Sequence, residues 1–179
     1  MDQKMEKEIN AQINREIFSS YLYLSMAAYF ESKSLNGFAQ WMRVQTMEEM
    51  MHAMKFYTFI LDRGGVIVLE AIDKPESDFK SIQAVFEKTL AHEKFVTKNI
   101  NNLYSIAQKQ NDNASLIFLE WFVTEQVEEE KNAMEILAKL KHVGERGEGI
   151  LMLDKELGAR PMPTLASLTG GQTAASAGA

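Results

Sequence analysis

The 179-residue chain contains no cysteine. That absence removes disulfide frameworks, thiolate zinc sites, thiolate-held iron–sulfur clusters and thiol nucleophiles, so any metal must be held by oxygen and nitrogen. Apolar runs are broken well before the roughly 18 consecutive positions that a membrane span needs. The opening stretch MDQKMEKEIN has neither a hydrophobic run nor a small-residue cleavage site; no secretory signal is expected, and the protein is expected in the cytoplasm. Basic residues do not predominate either. The net charge of −6 argues against a general nucleic-acid surface and suits the collection of cations, as it suits any soluble acidic protein. What remains, with 46% apolar residues, is enough to build one globular domain with a real core.

Four long segments carry helical periodicity. The first, about residues 3 to 32, places Ile9, Glu16, Tyr23 and Phe30 at seven-residue steps. Ser34 to Gly37 breaks the chain briefly, which implies an antiparallel partner helix from about Asn36 to Arg63, stopped by Gly64 and Gly65. Residues 65 to 79, GGVIVLEAIDKPESD, show no helical period and read as an overhand connection along the length of a bundle. The apolar VIV lacks a partner strand anywhere else, so an isolated extended packing segment is expected. Ser77 or Asp78 is the expected cap of a third helix, about 80 to 109, and QNDNA turns the chain into a fourth, about 113 to 143. A short fifth helix, ILMLDKEL, follows glycines 144, 147 and 149, which follow no strand and form no dinucleotide fingerprint. From Arg160 the composition turns to Pro, Ala, Ser, Thr and Gly. The expected division is therefore an all-α bundle domain, 1–158, and a low-complexity tail, 159–179.

The chemistry lies in what interrupts the apolar rows. In QTMEEMMHAMKF, Glu49 falls between Met42 and Phe56 on one row, and His52 falls between Gln45 and Phe59 on the next. Glu-x-x-His sets both side chains on one face, one turn apart, in reach of a single ion. Alone, that motif is weak. The intrusion recurs, however, at Glu16, Glu93 and Glu129, one on each of the other long helices. Four like charges at one depth repel and each loses its water; bound cations remove both costs. No Lys or Arg shares their rows, which makes a metal centre a better account than buried ion pairs. Di-iron and di-manganese carboxylate bundles use this plan, one Glu from each of two helices and Glu-x-x-His from each of the others. Here the second histidine is missing, because Asn132 stands three residues after Glu129.

Over residues 1 to about 158 the chain resembles the non-haem ferritins of bacteria and archaea, through NREIFSSYLYLSM, EEMMHAMKFY, AHEKFVT and WFVTEQVEEEK. Bacterioferritins and many oxygen-activating di-iron enzymes would carry the fourth-helix histidine, and rubrerythrins would add a cysteine-ligated iron. The resemblance implies the ferritin-like four-helix bundle with its crossover and a fifth helix at four-fold contacts. It implies one iron at Glu16, Glu49 and His52, and a second shared by Glu49 with Glu93 and Glu129, Gln126 lying close. A third position would use Glu48, Glu125, Glu128 and Glu129, and Tyr23 would stand beside the centre to hydrogen-bond a ligand or supply an electron. The implied activity is oxidation of Fe(II) by dioxygen or peroxide, with ferric mineral stored in a homo-oligomeric shell of 24 subunits. A small-substrate di-iron or di-manganese oxidase or peroxidase of low oligomeric state is the alternative; a metal-free bundle with protonated or paired acids is the third reading.

Other polar and aromatic residues read more plainly. His92 points about 100° away from Glu93 around the helix, toward solvent or an interface. His142 suits the C-terminal end of the fourth helix. Trp41 and Trp121 read as packing, Trp121 close enough to the acids to report on them. Met50 and Met51 raise the possibility of haem, which is not expected without the fourth-helix histidine.

Overall fold

The computed structural model describes residues 1–144 and 147–163, folded into α1 (Gln3–Ser32), α2 (Asn36–Asp62), α3 (Ile82–Gln110), α4 (Asn113–Val143) and α5 (Glu148–Leu157). Helices α1 and α2 form one hairpin, α3 and α4 another, and residues 63–81 carry the chain between them. This is the expected bundle with its long crossover and short fifth helix. Among the described residues there is no strand, and no helix is long and apolar enough to cross a membrane. The tail expected from 159 is described only to 163; residues 164–179 lie outside the described set.

Local chemistry sets most of the helix ends. Asp2 accepts from the Lys4 amide at 2.9 Å to start α1. Gly64, at φ +68°, lets α2 end in a turn that returns the Gly65 amide to the Ile60 carbonyl at 2.9 Å. Asn111, at φ +53°, turns the chain out of α3, and Asp112 caps α4 through the Ser115 amide. The start of α3 departs from expectation. Ser81, not Ser77 or Asp78, is its cap, accepting from Ala84 at 3.1 Å. Phe79 is buried against Tyr29, ring centroids 5.3 Å apart, so the chain is drawn onto α1 before it can begin to coil.

The crossover is held by its backbone more than by its side chains. Asn10 donates to the Val66 carbonyl at 2.9 Å and accepts from the Val68 amide at 2.8 Å, while Asn14 and Ser25 donate to Ala71 and Glu76 carbonyls. The extended conformation is as expected, and the packing role falls to one residue of the three. Val66 and Val68 point outward and only Ile67, between them, turns in. Asparagine amides tie the first half of the strap, and buried Pro75 and Phe79 anchor the second.

Helix α5 solves a problem at the start of α2. Leu35, at the N-cap of α2, offers no side-chain acceptor, leaving first-turn amides without partners. Asp154 of α5 supplies one, accepting from the Gly37 and Phe38 amides at 2.8 and 2.9 Å. The approach is so close that a Cβ on Gly37 would lie 1.6 Å from the Asp154 carbonyl oxygen. Gly37→Ala is therefore expected to destabilise the fold more than Asp154→Ala, which forfeits about 1 kcal/mol of capping. Denaturation midpoints would rank the two, and amide exchange in α5 should lose protection in Gly37→Ala; equal or reversed midpoints would contradict this packing.

Candidate metal centre

Two apolar clusters fill the ends of the bundle and leave a polar belt between them. One gathers Tyr23, Met26, Phe30, Phe38, Met42, Phe86 and Leu140; the other gathers Ile9, Ile13, Phe56, Ile60, Ile100, Leu119 and Phe122. Every long helix passes from one to the other, and at the crossing level each presents a glutamate. Glu16, Glu49, Glu93 and Glu129 are 0 to 3% exposed, and His52 is 1% exposed. Ligand atoms of Glu16, Glu49 and His52 lie within 4.8 Å of one another. His52 Nδ1 stands 3.6 Å from Glu49 Oε2, too far for a hydrogen bond and suited to flanking an ion. Glu16 Oε2, Glu49 Oε2 and His52 Nε2 are buried with no donor from the rest of the protein, and the Glu16 and Glu49 carboxyls are close enough to share a proton. Such orphaned acceptors on carboxylates fit a hard divalent cation.

The outer oxygens are fixed by neutral amides. Gln12 donates to Glu16 Oε1 at 2.8 Å and is itself held by Arg15 at 3.0 Å. Across the belt, Gln45 donates to Glu129 Oε2 at 2.8 Å and is held by Arg160. Tyr23 donates to Glu93 Oε1, and Gln126 donates to Glu93 Oε2 at 3.1 Å and to Thr97 Oγ1 at 3.3 Å. Glu16, Glu93 and Glu129 are thus aimed without a direct ion pair, since the arginines bond to Glu16 and Glu129 only through a glutamine.

A family model described as a ferritin-like domain matches residues 6–143. The chain belongs to the ferritin family. A Bacteroides fragilis protein named a bacterial non-heme ferritin is 41% identical over 160 residues, 89% of this chain and 99% of the relative. A Haemophilus influenzae protein named a probable bacterial non-heme ferritin-like protein is 39% identical over 158 residues, 88% of this chain and 96% of the relative. Among solved structures, the open-pore ferritin of the hyperthermophilic archaeon Archaeoglobus fulgidus superposes with a TM-score of 0.89 at 49% identity, covering 90% of this chain and 99% of that one. A humanized archaeal ferritin does so at 0.90, 49% identity, 92% and 99%.

In this ferritin the belt is electrostatically tense. Burial raises all four glutamates; Glu49 and Glu129 stand well above the carboxylate range, Glu93 adding its charge to both, and Glu93 is pushed up to about 7. Burial also pushes Tyr23 up, with the nearby glutamates adding to it, so its phenol keeps its proton. His52 is lowered to about 3 by burial, then by Lys55, and is neutral and ready to ligate. Toward the surface, Glu48 and Glu125 are half-buried and Glu128 is exposed. Burial, opposed at Glu48 by Arg160, raises Glu48 and Glu125, with like-charge repulsion within this trio adding to it.

Some residues sit where sequence periodicity could not place them. His92 is not simply solvent-facing: its Nε2 lies 2.7 Å from Ser19 Oγ and its ring meets Tyr23 edge-on at 6.1 Å, because α1 packs against α3 at this level. Gln12, Arg15 and Arg160 carried no signal of a role, and Gln45 only that of a polar residue in an apolar row. Trp121 does lie beside the centre, 5.3 Å from the His52 ring.

Metal uptake should be proton-coupled with a definite sign. At pH 6 His52 is already deprotonated, whereas Glu93, at about 7, must lose a proton to ligate. Affinity for Zn(II) should therefore rise with pH through about 7. Calorimetric titrations in buffers of different ionisation enthalpy should show more protons released at pH 6 than at pH 8; equal release would contradict this charge state.

Proposed function

We propose that this chain is an iron-storage ferritin subunit whose belt of glutamates is a ferroxidase centre. The observation that carries the reading is a buried glutamate from each of the four long helices at one level of the bundle, two of them, Glu16 and Glu49, gathered with His52 within reach of a single ion. Glu16, Glu49 and His52 hold one Fe(II), and Glu49, Glu93 and Glu129 a second, with Gln126 and Tyr23 orienting Glu93. Hard carboxylate oxygens favour the ferric state, so gathering two Fe(II) ions here eases loss of one electron from each. The electron pair and two protons convert dioxygen to hydrogen peroxide, or peroxide to two waters. A single nitrogen ligand keeps the product loosely held, and Glu48, Glu125, Glu128 and Glu129 form a third iron position on its way out. Ferric ions then hydrolyse and mineralise within a homo-oligomeric shell, for which 24 subunits is the expected count. Residues 1–158 form the di-iron domain and 159–179 the tail. The names of the relatives, non-heme ferritin, suit a centre without haem, and a cytoplasmic location suits iron storage.

Size-exclusion chromatography followed by aerobic Fe(II) addition tests this reading. A particle of several hundred kilodaltons that turns amber and stays clear is expected. A small species that oxidises iron and precipitates rust would defeat storage. Glu49→Ala and His52→Ala should abolish rapid Fe(II) oxidation, while Gln12→Leu, which only releases Glu16, should slow it by about tenfold. Oxidation at wild-type rate in Glu49→Ala would remove the centre from the belt. Fe(II) or Co(II) should also quench Trp121 emission through the adjoining His52, and His52→Ala should lose that response.

A further inference from the structure

Arg160 follows α5, yet its side chain returns to the metal centre. Nη2 lies 2.6 Å from Glu48 Oε2, and Nη1 donates to Gln45 Oε1. The guanidinium carbon sits 5.0 Å from the centroid of Trp41, and the Arg160 carbonyl accepts from Gln40 at 3.3 Å. Both partners of the ion pair are sheltered, with side chains 22% and 15% exposed, so the pair is screened less than a surface one. The cation therefore occupies the Glu48 arm of the trio that also contains Glu125 and Glu128.

We propose that Arg160 is the resident cation of this trio, which a third divalent ion must displace from Glu48, so that Arg160 sets the affinity of the third position below that of the first two. This rests on the reading of Glu48, Glu125 and Glu128 as an iron position. Glu48 Oε2 cannot serve the guanidinium and a metal fully at once, and a guanidinium left in place repels an arriving dication. Its influence is not confined to Glu48: Arg160 also lowers Glu125 and Glu129 against burial. Displacement has somewhere to go. A cleft of about 380 Å³ between α4 and α5, lined by Trp41, Asn132, Ile136 and Leu157, adjoins Arg160. Arg160 is thus a positioning residue for the third ion and touches neither of the first two.

Zn(II), which does not change oxidation state, separates the possibilities in calorimetric titrations of the full chain, with assembly checked by size-exclusion chromatography. Wild type should bind two ions tightly and a third more weakly. Arg160→Gln should tighten the third about tenfold and shift the first two less, with the change confined to the ion that uses Glu129, which Arg160 reaches through Gln45; Arg160→Lys, keeping the charge, should stay closer to wild type. An unchanged or weakened third ion in Arg160→Gln overturns the proposal, as does Arg160→Lys behaving like Arg160→Gln. A wild type and Arg160→Gln that both bind only two ions would instead overturn the third position itself, and the proposal with it. Zn(II)-soaked wild-type crystals give a check without substitution: a third zinc should appear with the guanidinium withdrawn from Glu48. Zinc bound there with the Arg160–Glu48 pair intact would overturn displacement.

Discussion

Four carboxylates deprived of water at one level of a helical bundle dominate the energetics of this protein. Removing a carboxylate from water costs several kcal/mol even after relaxation, and placing the four together adds mutual repulsion. A chain selected for stability alone would put apolar side chains there, as it does two turns above and below, at Ile9 and Tyr23, Met42 and Phe56, Phe86 and Ile100, and Phe122 and Ile136. The raised pKa of all four glutamates expresses the same tension in another form: without cations the belt lowers its charge by holding protons. Metal ions and protons compete for the same oxygens, which makes the centre both a binding site and a proton source.

What surrounds the acids preserves that tension. Direct pairing with lysine or arginine would neutralise the glutamates and close them to metal; here the bonds that reach Glu16 and Glu129 come from glutamine amides. A neutral donor fixes one oxygen and leaves the other available. The arginines behind them, Arg15 and Arg160, fix the amides in turn, so orientation is transmitted without a direct ion pair, and the arginines' charge offsets burial only in part. Glu93 is treated differently, held by a phenol and an amide, which oppose the burial that pushes it up to about 7. The two ends of the belt are alike in construction although one lies within a single helix and the other joins three segments of chain.

Much of this was legible in the amino-acid sequence because it is periodic. Heptad rows place Glu16, Glu49, Glu93 and Glu129 on inward faces without reference to any long-range contact, and glycine or asparagine turns locate most helix boundaries. The features that escaped depend on distant residues. Ser81 rather than Ser77 caps α3 because Phe79 finds a pocket against Tyr29, and the outward Val66 and Val68 follow from amides of Asn10 more than 50 residues away. His92 read from its helix alone as facing solvent or an interface, and only the approach of α1 gives it Ser19 as a partner. Arg160 stands where composition turns toward a low-complexity tail, so nothing local marked it.

The position of Arg160 is itself a consequence of how α5 docks. Only six residues separate it from Asp154, whose carboxylate closes the open amides of α2 and whose backbone fits against Gly37. The end of α5 and the turn at Gly158 and Ala159 connect these two attachments, which places the guanidinium beside Gln45 and Glu48 when α5 is seated. Both attachments are made to α2, the helix that also carries Glu49 and His52. The seat of the fifth helix and the aim of Glu129 are therefore linked through a short series of bonds, Asp154 to Gly37 at one end and Arg160 to Gln45 to Glu129 at the other. The metal centre thereby takes part of its geometry from an element that contributes no ligand to it.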